Sequence, residues 1–143
     1  MTVNRIAIGD DRLAYAICAD KKIRYPYGSS PVVYIGTTEK GVGRIATSAA
    51  YRAPSVLCMH GVKSFDVRII TCPPRRGFKS WKLLERALLL GFRSQFGQTP
   101  ICNTVGKNMR ETREFEVFSR DRIRQVISDL TEHGQADTYE VKA

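Results

Sequence analysis

Residues 32–53, V-V-Y-I-G-T-T-E-K-G-V-G-R-I-A-T-S-A-A-Y-R-A, decide the fold. Val32, Val33, Tyr34 and Ile35 are β-branched or aromatic, the composition of a buried strand, and Gly36 is read as its end. From Gly41 to Ala53 the pattern becomes helical. Ile45 and Ala49, flanked by Ala46, Ala50 and Ala53, give an apolar side. Arg44, Ser48, Tyr51 and Arg52 fall at i, i+4, i+7 and i+8, which puts them on one polar face. A strand that feeds a helix with a basic, hydroxyl-bearing face is the centre from which the rest is read.

Upstream, residues 13–18 (LAYAIC) form a second short apolar strand. A polar stretch with Pro26, Gly28, Ser29, Ser30 and Pro31 separates the two, so they are expected to pair as an antiparallel hairpin with a long loop. Downstream, residues 65–72 (FDVRIITC) predict a third strand, stopped at Pro73-Pro74 because proline cannot donate to a sheet ladder. Residues 80–96 predict the strongest helix, with Trp81, Leu84, Leu88 and Phe92 stepping by 3, 4 and 4. A loop follows at residues 99–103. Phe115 and Val117 alternate with Glu114 and Glu116, a fourth strand by pattern. Ser119 is an N-cap residue for a helix carrying Ile123, Val126, Ile127 and Leu130 and ending near Gly134. The fold class expected is α+β: a small, mainly antiparallel three-stranded sheet flanked by helices. Residues 1–108 make the main domain, and residues 109–143 a strand–helix extension packed on it.

The chain has 143 residues, enough for one domain and not for two full ones. No run of 18 apolar residues exists, so no membrane span is expected. The first eleven residues carry Arg5, Asp10 and Asp11 and no apolar stretch, so no secretory signal is expected either, and a cytoplasmic location follows. Cys18, Cys58, Cys72 and Cys102 have no C-x-x-C spacing and read as free buried thiols. Cys58 and His60 lie two apart, but nothing supplies the remaining ligands of a zinc site. The net charge of +9 is uneven. Residues 1–110 hold 18 Lys and Arg against 6 Asp and Glu, or +12, and residues 111–143 hold 5 against 8, or −3. A body this basic is suited to a polyanion, nucleic acid being the commonest.

Glu85 is the residue that stands apart. At about 100° per residue it falls between Trp81 and Leu89, with Leu88, Phe92 and Phe96 on the same arc. Lys82, Arg86 and Arg93 lie on another side of the helix. An unpaired carboxylate buried there costs several kcal/mol or is forced neutral, so a compensating cation is expected: an arginine partner or a metal ion.

The order of these features resembles the GIY-YIG nuclease family. Tyr34-Ile35-Gly36 ends a strand, a tyrosine strand (Tyr15) precedes it, and Arg44 follows ten residues later on a helix. Then come a third strand, a helix with the single Glu85, and Asn103 after Pro100. The resemblance covers about residues 12–104. It departs from the family in its first triplet, Leu13-Ala14-Tyr15 or Ala14-Tyr15-Ala16, and in the longer loop before Tyr34, which makes Tyr25 and Tyr27 rivals for the first tyrosine. Ser48 stands where many members carry a histidine, with His60 a substitute from the next loop. Asn108 competes with Asn103.

The resemblance implies a metal-dependent DNA endonuclease that hydrolyses phosphodiester bonds, with Tyr15, Tyr34, Arg44, Glu85 and Asn103 as its catalytic set. Each residue type suits that chemistry. Arg44 presents a forked, permanently charged donor to phosphate oxygens. Glu85 can hold one Mg²⁺ (or Mn²⁺), because such an ion takes oxygen ligands and keeps several waters. A tyrosine has an ordinary pKa of about 10, so a tyrosine general base needs surroundings that favour the phenolate. Tyr15 and Tyr34 both fit that role. Asn103 would hold the glutamate or the phosphate. Lys40, Arg52, Arg75, Arg76 and Lys79 are candidate DNA contacts, gripping the backbone without reading sequence. The expected partner is DNA, with specificity supplied by a homodimer or a partner protein. The alternative from the same residues is a non-catalytic nucleic-acid-binding module on a degenerate GIY-YIG fold.

Overall fold

The computed structural model describes residues 2–3, 12–73, 77–104, 106–132 and 138–140. The elements in order are β1 (Thr2–Val3), β2 (Leu13–Tyr25), β3 (Gly28–Thr38), α1 (Gly41–Leu57), β4 (Phe65–Thr71), α2 (Ser80–Phe96), α3 (Glu114–Val117), α4 (Arg120–Glu132) and β5 (Thr138–Glu140). The fold is α+β. Its centre is an antiparallel sheet of three strands, β3-β2-β4, and β1 and β5 pair in parallel with β4. Those two short strands carry no period that a sequence reading could detect. No helix among the described residues is long and apolar enough to cross a membrane.

The sheet has two buried faces. Ala14, Ala16, Cys18, Tyr25, Val32, Ile35 and Ile70 point to one, where Leu84, Leu88 and Phe92 of α2 and Ile123, Val126, Ile127 and Leu130 of α4 cover them. Leu13, Tyr15, Ile17, Val33, Val67 and Ile69 point to the other, covered by Ile45, Ala49 and Val56 of α1. Alternation of successive side chains explains the division. A register shift between Ile17 and Cys18 interrupts it, since Ile17 pairs with Tyr34 and Cys18 with Val32. That bulge lets Val33 and the neighbouring Tyr34 both pack with the α1 face.

Several expectations change. The hairpin has no long loop: β2 and β3 run on to a two-residue turn at Pro26 and Tyr27, through the polar residues read as a loop. Residues 20–24 are largely exposed, so no core pattern marks them. β3 also passes through Gly36 to Thr38. Helix α1 continues past Pro54 to Leu57, its last turn held to the sheet by buried Val56. Phe115 and Val117 lie on the short helix α3, not a strand, and the strand of the extension is β5, after α4 rather than before it. The glutamate pattern there misled, because Glu114 turns inward to Arg86. Ser119 does cap α4, its hydroxyl accepting from the Arg122 N–H at 3.3 Å. All four cysteines are free. Cys18 is buried, but Cys58 is exposed at the end of α1.

Candidate active site

A cleft of about 390 Å³ opens between β3 and α1. The polar face of α1 forms one wall with Arg44, Thr47, Ser48, Tyr51 and Arg52. Tyr15, Tyr34 and Thr37 form the sheet side. The rings of Tyr15 and Tyr34 lie 5.9 Å apart, tilted by 44°. Tyr15 pairs with Gly36 in the ladder. A Cβ on Gly36 would come within 2.7 Å of the Tyr34 ring and 3.1 Å of Tyr15 Cζ. The glycine of the Tyr-Ile-Gly triplet is therefore what lets two phenols meet over one strand.

The two tyrosines are not equivalent. Tyr15 is almost wholly buried, and burial pushes its hydroxyl up to about 12, with Tyr34 adding to the rise; Ser48 and Arg52 act the other way. Tyr15 is thus protonated at neutral pH. Tyr34 is half-buried, and the Arg52 guanidinium stacks on its ring, 3.7 Å from the centroid. Arg44 is exposed, with no hydrogen bond or ion pair among the described residues.

Glu85 projects from α2 towards the sheet. Burial raises its carboxyl above the usual range, opposed by a hydrogen bond with the Thr37 side chain and by the charges of Lys82 and Arg86. Both cations are already committed. Lys82 Nζ lies 3.5 Å from Glu39, and Arg86 Nε lies 2.6 Å from Glu114. The arginine partner that the apolar stripe seemed to require is thus spent elsewhere. Thr37 pairs with Ala14, on the α2 face, whereas Tyr15 is on the α1 face. Glu85 and the tyrosines therefore approach the end of the edge strand β3 from its two sides, with Thr37 common to both.

Asn103 sits in the loop along the β3 edge. Its Oδ1 accepts from the Ile35 N–H at 3.0 Å, and its Nδ2 donates to the Ile35 carbonyl at 2.9 Å. The Cys102 N–H adds a bond to the Val33 carbonyl at 2.9 Å. Asn103 thus closes the edge of the strand that carries Tyr34, and both polar atoms of its side chain are taken up by that strand's backbone. Asn108 is exposed and outside the cleft.

The rival tyrosines lie elsewhere. Tyr25 is buried on the α2 face, donating to the Val32 carbonyl at 2.7 Å and accepting from the Ile101 N–H at 3.1 Å. Tyr27 is exposed at the hairpin turn. His60 is exposed after α1 and does not line the cleft; its carbonyl accepts from Lys21. Lys40 and Lys79 precede α1 and α2 and are exposed, outside the cleft. Arg75 and Arg76 fall outside the described residues. Thr37, Thr47 and the cleft position of Tyr51 are additions. Thr37 lies beyond Gly36, where the sequence pattern of the strand stops, whereas Tyr51 belongs to the polar face that the helical spacing predicts.

Among the described residues no three His, Cys, Asp or Glu side chains gather as a metal site. The donor set is one carboxylate beside a threonine hydroxyl. That set fits an ion such as Mg²⁺, which completes its shell with water and phosphate oxygen, and does not fit a structural zinc. Neither a protein-family model, nor a curated protein, nor a solved structure matches the chain.

Proposed function

We propose that the protein is a metal-dependent DNA endonuclease. The observation that carries this reading is the cleft between β3 and α1: two phenols meeting over Gly36, with Arg44 unpartnered among the described residues and the half-buried Glu85 bonded to Thr37 at the same strand end. Hydrolysis adds water across a P–O bond, leaving a phosphate on one fragment and a hydroxyl on the other. Arg44 would take two non-bridging phosphate oxygens in its fork. Tyr34 would accept the proton of the attacking water, because the buried Tyr15 holds its own proton and Tyr34 is the phenol beside the Arg52 charge. Ser48 and Gly36 keep that pair in register. Glu85 would hold the metal ion, whose chemistry is to neutralise phosphate charge and stabilise the departing oxygen. Arg52, stacked on Tyr34, adds positive potential beside the phosphate.

A plasmid-nicking assay tests this. Nicking is expected with Mg²⁺ or Mn²⁺, none with EDTA, and a loss of about a hundredfold or more in Tyr34→Phe, the usual scale for a general base. Absence of nicking with any divalent ion would contradict the proposal. The second reading, a DNA-binding module without catalysis, draws on the placement of Glu85 across the strand from the tyrosines. Salt-dependent DNA affinity without any cleavage would select it.

A further inference from the structure

Tyr51 stands out among the aromatic residues of the cleft. Tyr15 is buried and the ring of Tyr34 is covered by Arg52, whereas Tyr51 is 83% exposed. It lies on the cleft wall two helical turns beyond Arg44, roughly 10 Å along α1. Nothing in the hydrophobic cores uses its ring. A large apolar ring left in water on the same cleft wall as Arg44, which has no partner among the described residues, offers what a nucleobase needs: a flat π-face within one nucleotide's reach of a phosphate clamp. Bases stacked within a duplex have no face to offer. An unpaired base does.

Resting on the nuclease reading of the same cleft, we propose that Tyr51 stacks on an unpaired nucleotide adjacent to the phosphate held by Arg44, so that the substrate class is DNA with a single-stranded or displaced segment at the cut. In this arrangement Arg44 holds the backbone without regard to sequence. Tyr51 selects for local structure rather than for base identity, because every base has a stackable face. The ring contributes affinity, and its hydroxyl is not needed.

The test is binding without cleavage, in EDTA, with the full chain and 2-aminopurine oligonucleotides: one fully paired, one with a three-nucleotide overhang that carries the probe. The wild type is expected to bind the overhang about tenfold more tightly than the duplex, with probe quenching. Tyr51→Ala should remove both the preference and the quenching while leaving duplex affinity and melting temperature unchanged. Tyr51→Phe should retain both, and Tyr27→Ala, at a highly exposed tyrosine outside the cleft, should behave as wild type. Equal preference in wild type and Tyr51→Ala would overturn the proposal, as would a Tyr51→Phe variant as impaired as Tyr51→Ala. Because the readout is binding in EDTA, loss of the nuclease reading through absent Mg²⁺ cleavage remains a separate result.

Discussion

Two hollows of similar size lie on opposite sides of this molecule, and they treat charge differently. One, about 440 Å³, opens between α2 and α4. Two of its three arginines are committed there. Arg93 donates to the carbonyls of Lys107 and Met109, and Arg120 pairs with Glu111 and stacks on Phe115. The other is the cleft of about 390 Å³ between β3 and α1, where Arg44 has no partner among the described residues. The two inward glutamates repeat the contrast. Glu114 is fully buried, and although burial alone would raise its carboxyl, bonds from Thr112 and Arg86 overcome that and hold it down to about 2. Glu85 is raised by burial, with no such set of donors. Saturated polar groups hold a fold together. Groups left short of partners are those a ligand can complete.

The largest effects expected are on activity, at Glu85 and then at Arg44. Arg44→Ala should lower the nicking rate by about a hundred- to a thousandfold, the scale of losing one electrostatic contact in a transition state. Its melting temperature should be unchanged, since the side chain is exposed. Next is stability on the saturated side: Arg86→Ala should cost about 3 kcal/mol by urea unfolding, because it strands a buried carboxylate. A wild-type stability there would erase the contrast between the two sides.

The pH dependence of stability divides the glutamates by sign. Glu114 is held below its ordinary value, so its contribution is present above about pH 4.5 and is lost as pH falls from there towards 2. Glu114→Gln should flatten the acid limb of the stability curve. Glu85 is raised, so its ionised form is the strained one in the folded state, and the penalty is present above its folded value and vanishes in acid. Glu85→Gln should therefore unfold at an equal or slightly higher temperature than wild type near pH 7. A clear destabilisation would mean Glu85 is structural. The smallest effect expected is Tyr25→Phe, which removes two hydrogen bonds to backbone and should cost about 1–2 kcal/mol without changing DNA affinity.

The three central strands, α1, α2 and α4 were legible because each has an amphipathic or β-branched pattern set by the core it covers. The polar face of Arg44, Ser48, Tyr51 and Arg52 was legible for the same reason, since a helix with one buried side fixes what the other presents. Residues 19–31 were not, because an exposed hairpin arm has no hydrophobic period to show. Nor was the role of Asn103, whose side chain is satisfied by the Ile35 backbone, or that of Thr37, which bonds Glu85 from a strand that sequence alone ends two residues too early. The oddity of Glu85 was visible. That its neighbouring cations were engaged elsewhere required the pairing of α2 with Glu39 and α3.

The most direct test of the account is the single-turnover nicking rate of Glu85→Gln in Mg²⁺, at protein concentrations that saturate the DNA so that affinity drops out. The account predicts a loss of about a thousandfold or more, with DNA binding and melting temperature close to wild type. A Glu85→Gln variant that nicks at the wild-type rate would contradict it.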